Sequence, residues 1–203
     1  MTASKAESLY LKIKQELYSN RYSVGEIINE KVIANYYGVS KTPVREALAL
    51  LATEGFLVKI PRKGYFLREI NYKEYHELIQ YRYMVEFGVA RIVIAKCNDE
   101  EIKSLFELTP RIQVSLEEFT RKNREFHEGV AALLNNRYIS SALAEIFDLS
   151  IRDTSIEGFN LISEDMHQDH RRIVQALLDR DLGKVAEILH RELKRFGETS
   201  QLY

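Results

Sequence analysis

The sequence predicts a mainly α-helical protein in two parts. Three short helices and a β-hairpin take residues 1–70, and an antiparallel bundle of six helices takes residues 71–203. Two observations carry this prediction. Apolar residues recur at helical spacing through most of the chain. β-Rich runs are confined to Phe56-Leu57-Val58-Lys59-Ile60 and Tyr65-Phe66-Leu67, both before the glycine-poor second part.

Residues 5–19 place Ala6, Leu9, Ile13 and Leu17 on one face of a first helix, and Tyr22-Ser23-Val24-Gly25 reads as a turn. A short second helix runs from Glu30 to Tyr37, with Val32, Ile33 and Tyr36 as its apolar face. Gly38 can take the left-handed conformation that ends it. Ser40 or Thr42 can cap the next helix, and Pro43 is tolerated because it falls in the first turn. Val44, Ala47, Leu48 and Leu51 then recur at helical spacing and face a core, which leaves Lys41, Thr42, Arg45 and Ala49 on the other side. A tight turn between two helices, with polar and basic residues at the start of the second, is a helix-turn-helix. Its second helix points that end into the major groove of DNA. The hairpin tip, Pro61-Arg62-Lys63-Gly64, is basic, so the hairpin makes a wing. The expected DNA contacts are Ser40, Lys41, Thr42 and Arg45 at base edges or nearby phosphates. Lys31, Arg62, Lys63 and Gly64 are expected at the backbone and minor groove.

Net charge is −1, which alone argues against nucleic acid, but the average hides an asymmetry. Residues 1–70 hold 11 Lys and Arg against 7 Asp and Glu, and residues 71–203 hold 18 against 23. A basic first part on an acidic second part suits DNA at one end and another ligand at the other. A surplus of four positive charges is modest, so affinity calls for two copies. The single cysteine, Cys97, allows no disulfide framework and reads as a small core residue. No signal-peptide core opens the chain, and the longest apolar stretch, residues 84–97, is interrupted by Glu86, Arg91 and Lys96. It is too short to cross a bilayer, so a cytoplasmic protein is expected.

In the second part, Asn71 opens a long helix to about Lys96, with Leu78, Tyr81, Val85, Val89, Ile92 and Ala95 on one side. Asn98-Asp99-Glu100-Glu101 caps the next, which carries Ile102, Leu105, Phe106 and Leu108. A third runs from about Ser115 to Asn135 and a fourth from Tyr138 to about Gly158. The fifth covers residues 163–180 and the sixth about 182–197, with Asp181 as its cap. Asn123 and His127 are four apart, hence on one helix face. His170 and His190 lie at similar distances either side of the turn at Asp181, so antiparallel pairing brings them level. Imidazole is the commonest ligand for zinc, nickel and similar ions. Spacing alone favours separate polar histidines inside a bundle, since pairs four apart are common by chance.

With these residues in hand, residues 6–68 resemble the GntR family of bacterial winged-helix regulators. The resemblance rests on Leu17, Gly25, Ile28, Ala34, Gly38-Val39-Ser40, Thr42-Pro43-Val44-Arg45-Glu46-Ala47-Leu48, Leu51, Glu54-Gly55 and the basic tip. Residues 74–198 resemble the FCD effector-binding domain of the subfamily related to the fatty-acid regulator, in its shorter six-helix form. Here the resemblance rests on Arg82-Tyr83-Met84-Val85-Glu86, Phe126-His127, Asn136, His170-Arg171-Arg172-Ile173-Val174-Gln175-Ala176-Leu177, Asp181 and His190. That family implies a divalent ion (Zn, Ni or Mn) held by one Asp and three His beside a pocket for a small carboxylate. Carried over, the histidines are His127, His170 and His190, while the Asp position is Asn123, a neutral and weaker donor. Arg82 and, second, Arg152 are the implied effector contacts. A guanidinium fork matches a carboxylate, though Arg82 also stands four residues before Glu86 and so at salt-bridge spacing.

The resemblance therefore implies a homodimeric one-component transcription regulator, not an enzyme, that binds a near-palindromic operator and responds to an organic acid. Two other classes compete. A metal-dependent hydrolytic enzyme needs a carboxylate base, and none stands in an obvious base role in the His127 or His170 motifs. A DNA-binding protein whose bundle only dimerises would leave the histidines structural.

Overall fold

The computed structural model describes residues 5–18, 22, 26–68, 71–109, 116–150 and 164–198. The chain divides into two compact units, Met1–Ile70 and Asn71–Tyr203.

In the first unit, α1 (Lys5–Tyr18), α2 (Glu30–Tyr37) and α3 (Lys41–Thr53) pack around Ile13, Val44, Leu48 and Leu51, none of which is measurably exposed. Asn29 caps α2 by accepting from the Lys31 N–H at 2.8 Å. Gly38 ends it in the left-handed region, at φ 62°. Ser40 takes the cap position of α3, but its side chain makes no capping bond. The buried face of α2 is Ile33 and Ala34, whereas Val32 and Tyr36 are 65% and 60% exposed. With only eight residues, the α2 pattern fits more than one face, and packing against α3 settles it.

The hairpin is β2 (Leu57–Ile60) and β3 (Gly64–Leu67), in register Ile60↔Gly64 to Leu57↔Leu67. A third strand, β1 (Ile27–Ile28), pairs antiparallel with β3 and gives the order β1-β3-β2. Two residues are too few to leave an alternating signature, so this strand was not expected. Of the turn expected at residues 22–25, only Tyr22 lies among the described residues. The hairpin turn closes through the Lys63 N–H donating to the Ile60 carbonyl at 3.1 Å, with Arg62 in the left-handed region at φ 65°.

The second unit contains α4 (Tyr72–Lys96), α5 (Asp99–Ser104) running into a 3-10 turn (Leu105–Leu108), α6 (Leu116–Ala132), α7 (Arg137–Ser150), α8 (Glu164–Leu178) and α9 (Leu182–Glu198). The start signals work as expected. Asn71 accepts from the Glu74 N–H, Asn98 and Glu101 form a reciprocal capping box, and Asp181 accepts from the Lys184 N–H. Asn135 stops α6 region in the left-handed conformation, at φ 46°. The expected extension of α7 to Gly158 and the start at Ser163 lie outside the described residues.

Helix α4 packs against α6, α7, α8 and α9. Its buried stripe is Tyr75, Ile79, Arg82, Glu86, Val89, Ala90 and Val93, whereas Tyr81 is 47% exposed. The face read from apolar residues alone is therefore rotated, because the buried stripe includes an arginine and a glutamate. Cys97 is buried at the end of α4, without a disulfide. No helix among the described residues is long and apolar enough to cross a membrane.

Gly64 has φ 131°, and a Cβ there would lie 2.9 Å from the Ile28 carbonyl oxygen. Gly64→Ala should therefore destabilise the first unit by about 1–3 kcal/mol, the range for a residue forced into a glycine-only region. Denaturant unfolding checks this. A variant as stable as the parent would mean that β1 does not close on β3 as described.

Candidate functional site

The first unit presents the start of α3 to solvent. Lys41, Thr42 and Arg45 are exposed, and the Val44, Ala47, Leu48 and Leu51 face is buried beneath them. Ser40, Lys31, Arg62 and Lys63 are exposed as well. Gly64 is only half-buried, and its lack of a side chain is explained by Ile28 rather than by a ligand. Arg45 is not free in solution. Its Nε donates to Glu30 Oε1 and Oε2 at 3.2 Å each, and its Nη2 to Oε2 at 3.0 Å.

Among the described residues, the second unit buries eight that are polar or charged, and six of them meet around one point: Arg82, Glu86, Asn123, His127, His170 and Glu192. Helix α4 supplies Arg82 and Glu86, α6 supplies Asn123 and His127, α8 supplies His170 and α9 supplies Glu192. The Arg82 Nε donates to Glu86 Oε1 at 2.6 Å, and its Nη2 lies 3.5 Å from Glu192 Oε1. His127 sits between the two carboxylates. Its Nε2 is 3.0 Å from Glu192 Oε1, and its Nδ1 is 3.1 Å from Glu86 Oε2, at ion-pair distance but off hydrogen-bond geometry. The His170 Nε2 is 3.0 Å from Asn123 Oδ1 and 3.7 Å from Glu192 Oε1. The Arg82 guanidinium also lies over the Phe147 ring, at 4.3 Å.

Burial alone would lower the His127 imidazole, but Glu86 and Glu192 overcome that and raise its pKa to about 9. Burial would raise Glu192, yet His127, and after it His170, holds that carboxyl well below its ordinary range. Arg82, and after it His127, lowers Glu86 despite burial. Burial lowers His170. The network is thus Arg82⁺, His127⁺, Glu86⁻ and Glu192⁻ around a neutral His170: two charges of each sign, closed on themselves. The neighbouring Asp169, with no exposed surface, is clamped by Arg172 at 2.9 Å and Arg191 at 2.6 Å, which ties α8 to α9 beside His170.

One donor atom each from His127, His170 and Glu192 lies within 4.8 Å of the other two, so the cluster can hold a metal ion. The local chemistry fits a cation. Glu192 Oε2 and His170 Nδ1 are buried without a hydrogen-bond partner, and a buried polar atom left unpaired is costly. Nitrogen donors from two imidazoles and oxygen donors from Glu192 and Asn123 suit a borderline divalent ion. Next to the cluster is a cavity of about 20 Å³ between Glu86, His127, Phe126, Val130, Leu143 and Leu189. That is room for a water molecule.

His190 is not brought to this cluster. It is exposed on α9, its ring edge-on to Tyr83 with centroids 6.2 Å apart. Its face points away from the cluster: two residues along a helix turn the side chain by about 200°. Glu192 takes the inward place. Its signal was in the sequence, because Val185, Ile188, Leu189 and Glu192 stand at i, i+3, i+4 and i+7 on one stripe. Arg82 makes the salt bridge to Glu86 that its spacing allows. Arg152 lies outside the described residues.

The fold and these sites define a winged-helix DNA-binding protein with a helical bundle whose buried cluster can hold a metal. Residues 5–67 match the model of the bacterial regulatory proteins, gntR family, and residues 77–195 match the FCD domain. The chain is 30% identical over 174 residues to the uncharacterized HTH-type transcriptional regulator YdhC of Bacillus subtilis (strain 168), covering 82% of this chain and 77% of that one. It is 30% identical over 167 residues to the Nta operon transcriptional regulator of Aminobacter aminovorans, covering 80% and 78%. The gluconate operon transcriptional repressor of Bacillus subtilis (strain 168) is 24% identical, over 93% and 82%. Among solved structures, E. coli McbR/YncC has the same fold, with a TM-score of 0.79 and 18% identity over 95% of both chains. The chain belongs to the GntR family, with an FCD domain, and is a DNA-binding transcriptional regulator.

His127 carries a raised pKa, so its protonated form is favoured by the fold. That stabilisation is complete below the unfolded value of 6.5 and is lost as pH rises through about 9. In chelated protein, the thermal midpoint of the parent should fall over this window relative to that of His127→Gln. Parallel curves for the two proteins would mean that His127 is not held between the carboxylates as a cation.

Proposed function

We propose that this chain is a cytoplasmic, homodimeric one-component regulator, not an enzyme, that binds a near-palindromic operator and senses a small organic acid through a divalent ion in its bundle. The dimer is proposed because two-fold symmetry in the protein matches a near-palindrome in DNA. The observation that carries the sensor reading is the burial of His127, His170 and Glu192 around one point, with Glu192 Oε2 left unpaired. Glu192 joins Asn123, His127 and His170 as the proposed ligand set, in place of His190. Zn, Ni and Mn remain the candidate ions. An ion there would act as a Lewis acid toward a carboxylate.

Glu86 then faces the outer nitrogen of His127 and would fix its ring, as carboxylates behind metal-bound histidines do. Arg82 supports the acid class, because its Nη2 is buried without a hydrogen-bond partner. The relatives named for a gluconate operon point the same way. The cavity of about 20 Å³ is smaller than an organic acid, so the effector enters only as its walls part. An effector that weakens operator binding must itself bind less well to the DNA complex.

On DNA, Ser40, Lys41, Thr42 and Arg45 are the proposed base-edge or nearby contacts. Lys31, Arg62, Lys63 and the Gly64 backbone hold phosphates and the minor groove. Arg45→Ala should cost about 1–3 kcal/mol on the cognate operator and relax specificity at one position. Lys63→Ala should weaken all sequences alike. A variant at Arg45 that binds the operator as well as the parent would remove α3 from the groove.

For the bundle, elemental analysis should find one divalent ion per chain. His170→Ala should lower metal affinity by about 10–100-fold or more and abolish the effector response, leaving DNA binding largely intact. Asn123→Asp should tighten the ion by adding a negative charge. Protein purified without chelators that holds no metal and takes up no Zn, Ni or Mn on titration would sink the sensor reading.

A further inference from the structure

We infer that Glu30 is the specificity-determining partner of Arg45: it occupies the side edge of the guanidinium and so aims the remaining fork at a base instead of a phosphate. The inference rests on the proposed role of α3 in the groove. Asn29 caps α2 and fixes Glu30 as its first residue, where a carboxylate is also favoured by the helix end. From there Glu30 takes Nε and one N–H of Nη2 of Arg45, at 3.0–3.2 Å.

A guanidinium has five N–H donors in a fixed plane. Glu30 occupies the Nε/Nη2 edge, an edge that would otherwise serve a phosphate. What remains is Nη1 and the second N–H of Nη2, a pair that matches the O6 and N7 acceptors of guanine. Arg45 is 60% exposed and Glu30 23%, so the guanidinium stays accessible to a second partner while Glu30 holds its side edge. The carboxylate also repels phosphates, which lowers affinity for DNA of any sequence. Glu30 thus trades non-specific binding for discrimination.

The test uses the full chain and a pool of randomised duplexes, from which wild-type protein selects its preferred sequence. Wild type, Arg45→Ala, Glu30→Ala and Glu30→Gln are then titrated on that duplex, on its single-base variants and on an unrelated duplex. Arg45→Ala should flatten preference at one position by about 5–150-fold. Glu30→Ala should flatten the same position, leave the others and tighten binding to the unrelated duplex. Glu30→Gln, which keeps one acceptor and the length, should fall between wild type and Glu30→Ala. The double variant should be no flatter than Arg45→Ala alone.

Equal tightening on all duplexes with preference intact would make Glu30 a mere competitor and overturn the inference. Equal weakening on all duplexes by both Glu30 variants would make it structural, with the same result. If Arg45→Ala itself leaves the preferences unchanged, the groove reading of α3 falls, and the inference with it.

Discussion

The arrangement of the bundle depends on keeping charge neutral where there is no water to do it. A carboxylate, guanidinium or imidazolium taken alone into an apolar core costs several kcal/mol, and a pair repays that only with good geometry. Here Arg82 and Glu86 come from α4, His127 from α6 and Glu192 from α9, all at most 6% exposed. No single helix can satisfy its own charges. Arg82 reaches Glu86 four residues on, but its Nη2 and the His127 ring both turn to Glu192. The register of α4, α6 and α9 is therefore constrained by charge as well as by the apolar contacts of Val93, Phe126, Val174 and Ile188 around it.

That neutrality also frames how the cluster can change. The extra proton of the His127 imidazolium is favoured by both carboxylates, Glu86 facing Nδ1 and Glu192 facing Nε2. A cation competing for the same place must displace it, because a ligating imidazole offers its lone pair only when neutral. An ion brings more charge than the proton it replaces. The surplus positive charge favours an anion close by, where the Arg82 Nη2, ion-paired to Glu192 at 3.5 Å, makes no hydrogen bond. Proton, ion and anion are thus linked through a few buried groups, and coupling of this kind needs no organic acid to be present in the resting state.

How much of this was legible depends on where the sequence breaks its own pattern. Caps at Asn71, Asn98 and Asp181, the stop at Gly38 and the buried face of α3 follow from local chemistry and stand in the structure as read. The errors fall where tertiary context overrides a local rule. Tyr81 was assigned to the core of α4 because a hydrophobic count passes over Arg82 and Glu86, which are the residues inside. Counting from the turn at Asp181 and the family resemblance both put His190 beside His170, yet the stripe through Val185, Ile188 and Leu189 leads to Glu192. Strand β1 is two residues long and exists only through its pairing with β3. In each case the missing information is which face a neighbour covers.

The two units use the same pair of side chains in different solvents. Arg45 with Glu30 stands at the surface, and Arg82 with Glu86 is buried. An exposed pair is worth about 0–1 kcal/mol, because water competes for both partners. It can therefore orient a guanidinium without holding it away from a new acceptor. A buried pair cannot be opened so cheaply, since removing one partner strands the other. Only a ligand that brings compensating charge into the core can rearrange it. Geometry that is weakly held suits a surface that must sample many DNA sequences, and geometry that is strongly held suits a site that should move only for the right ligand. Burial alone, acting on one Arg–Glu pairing, separates the two behaviours.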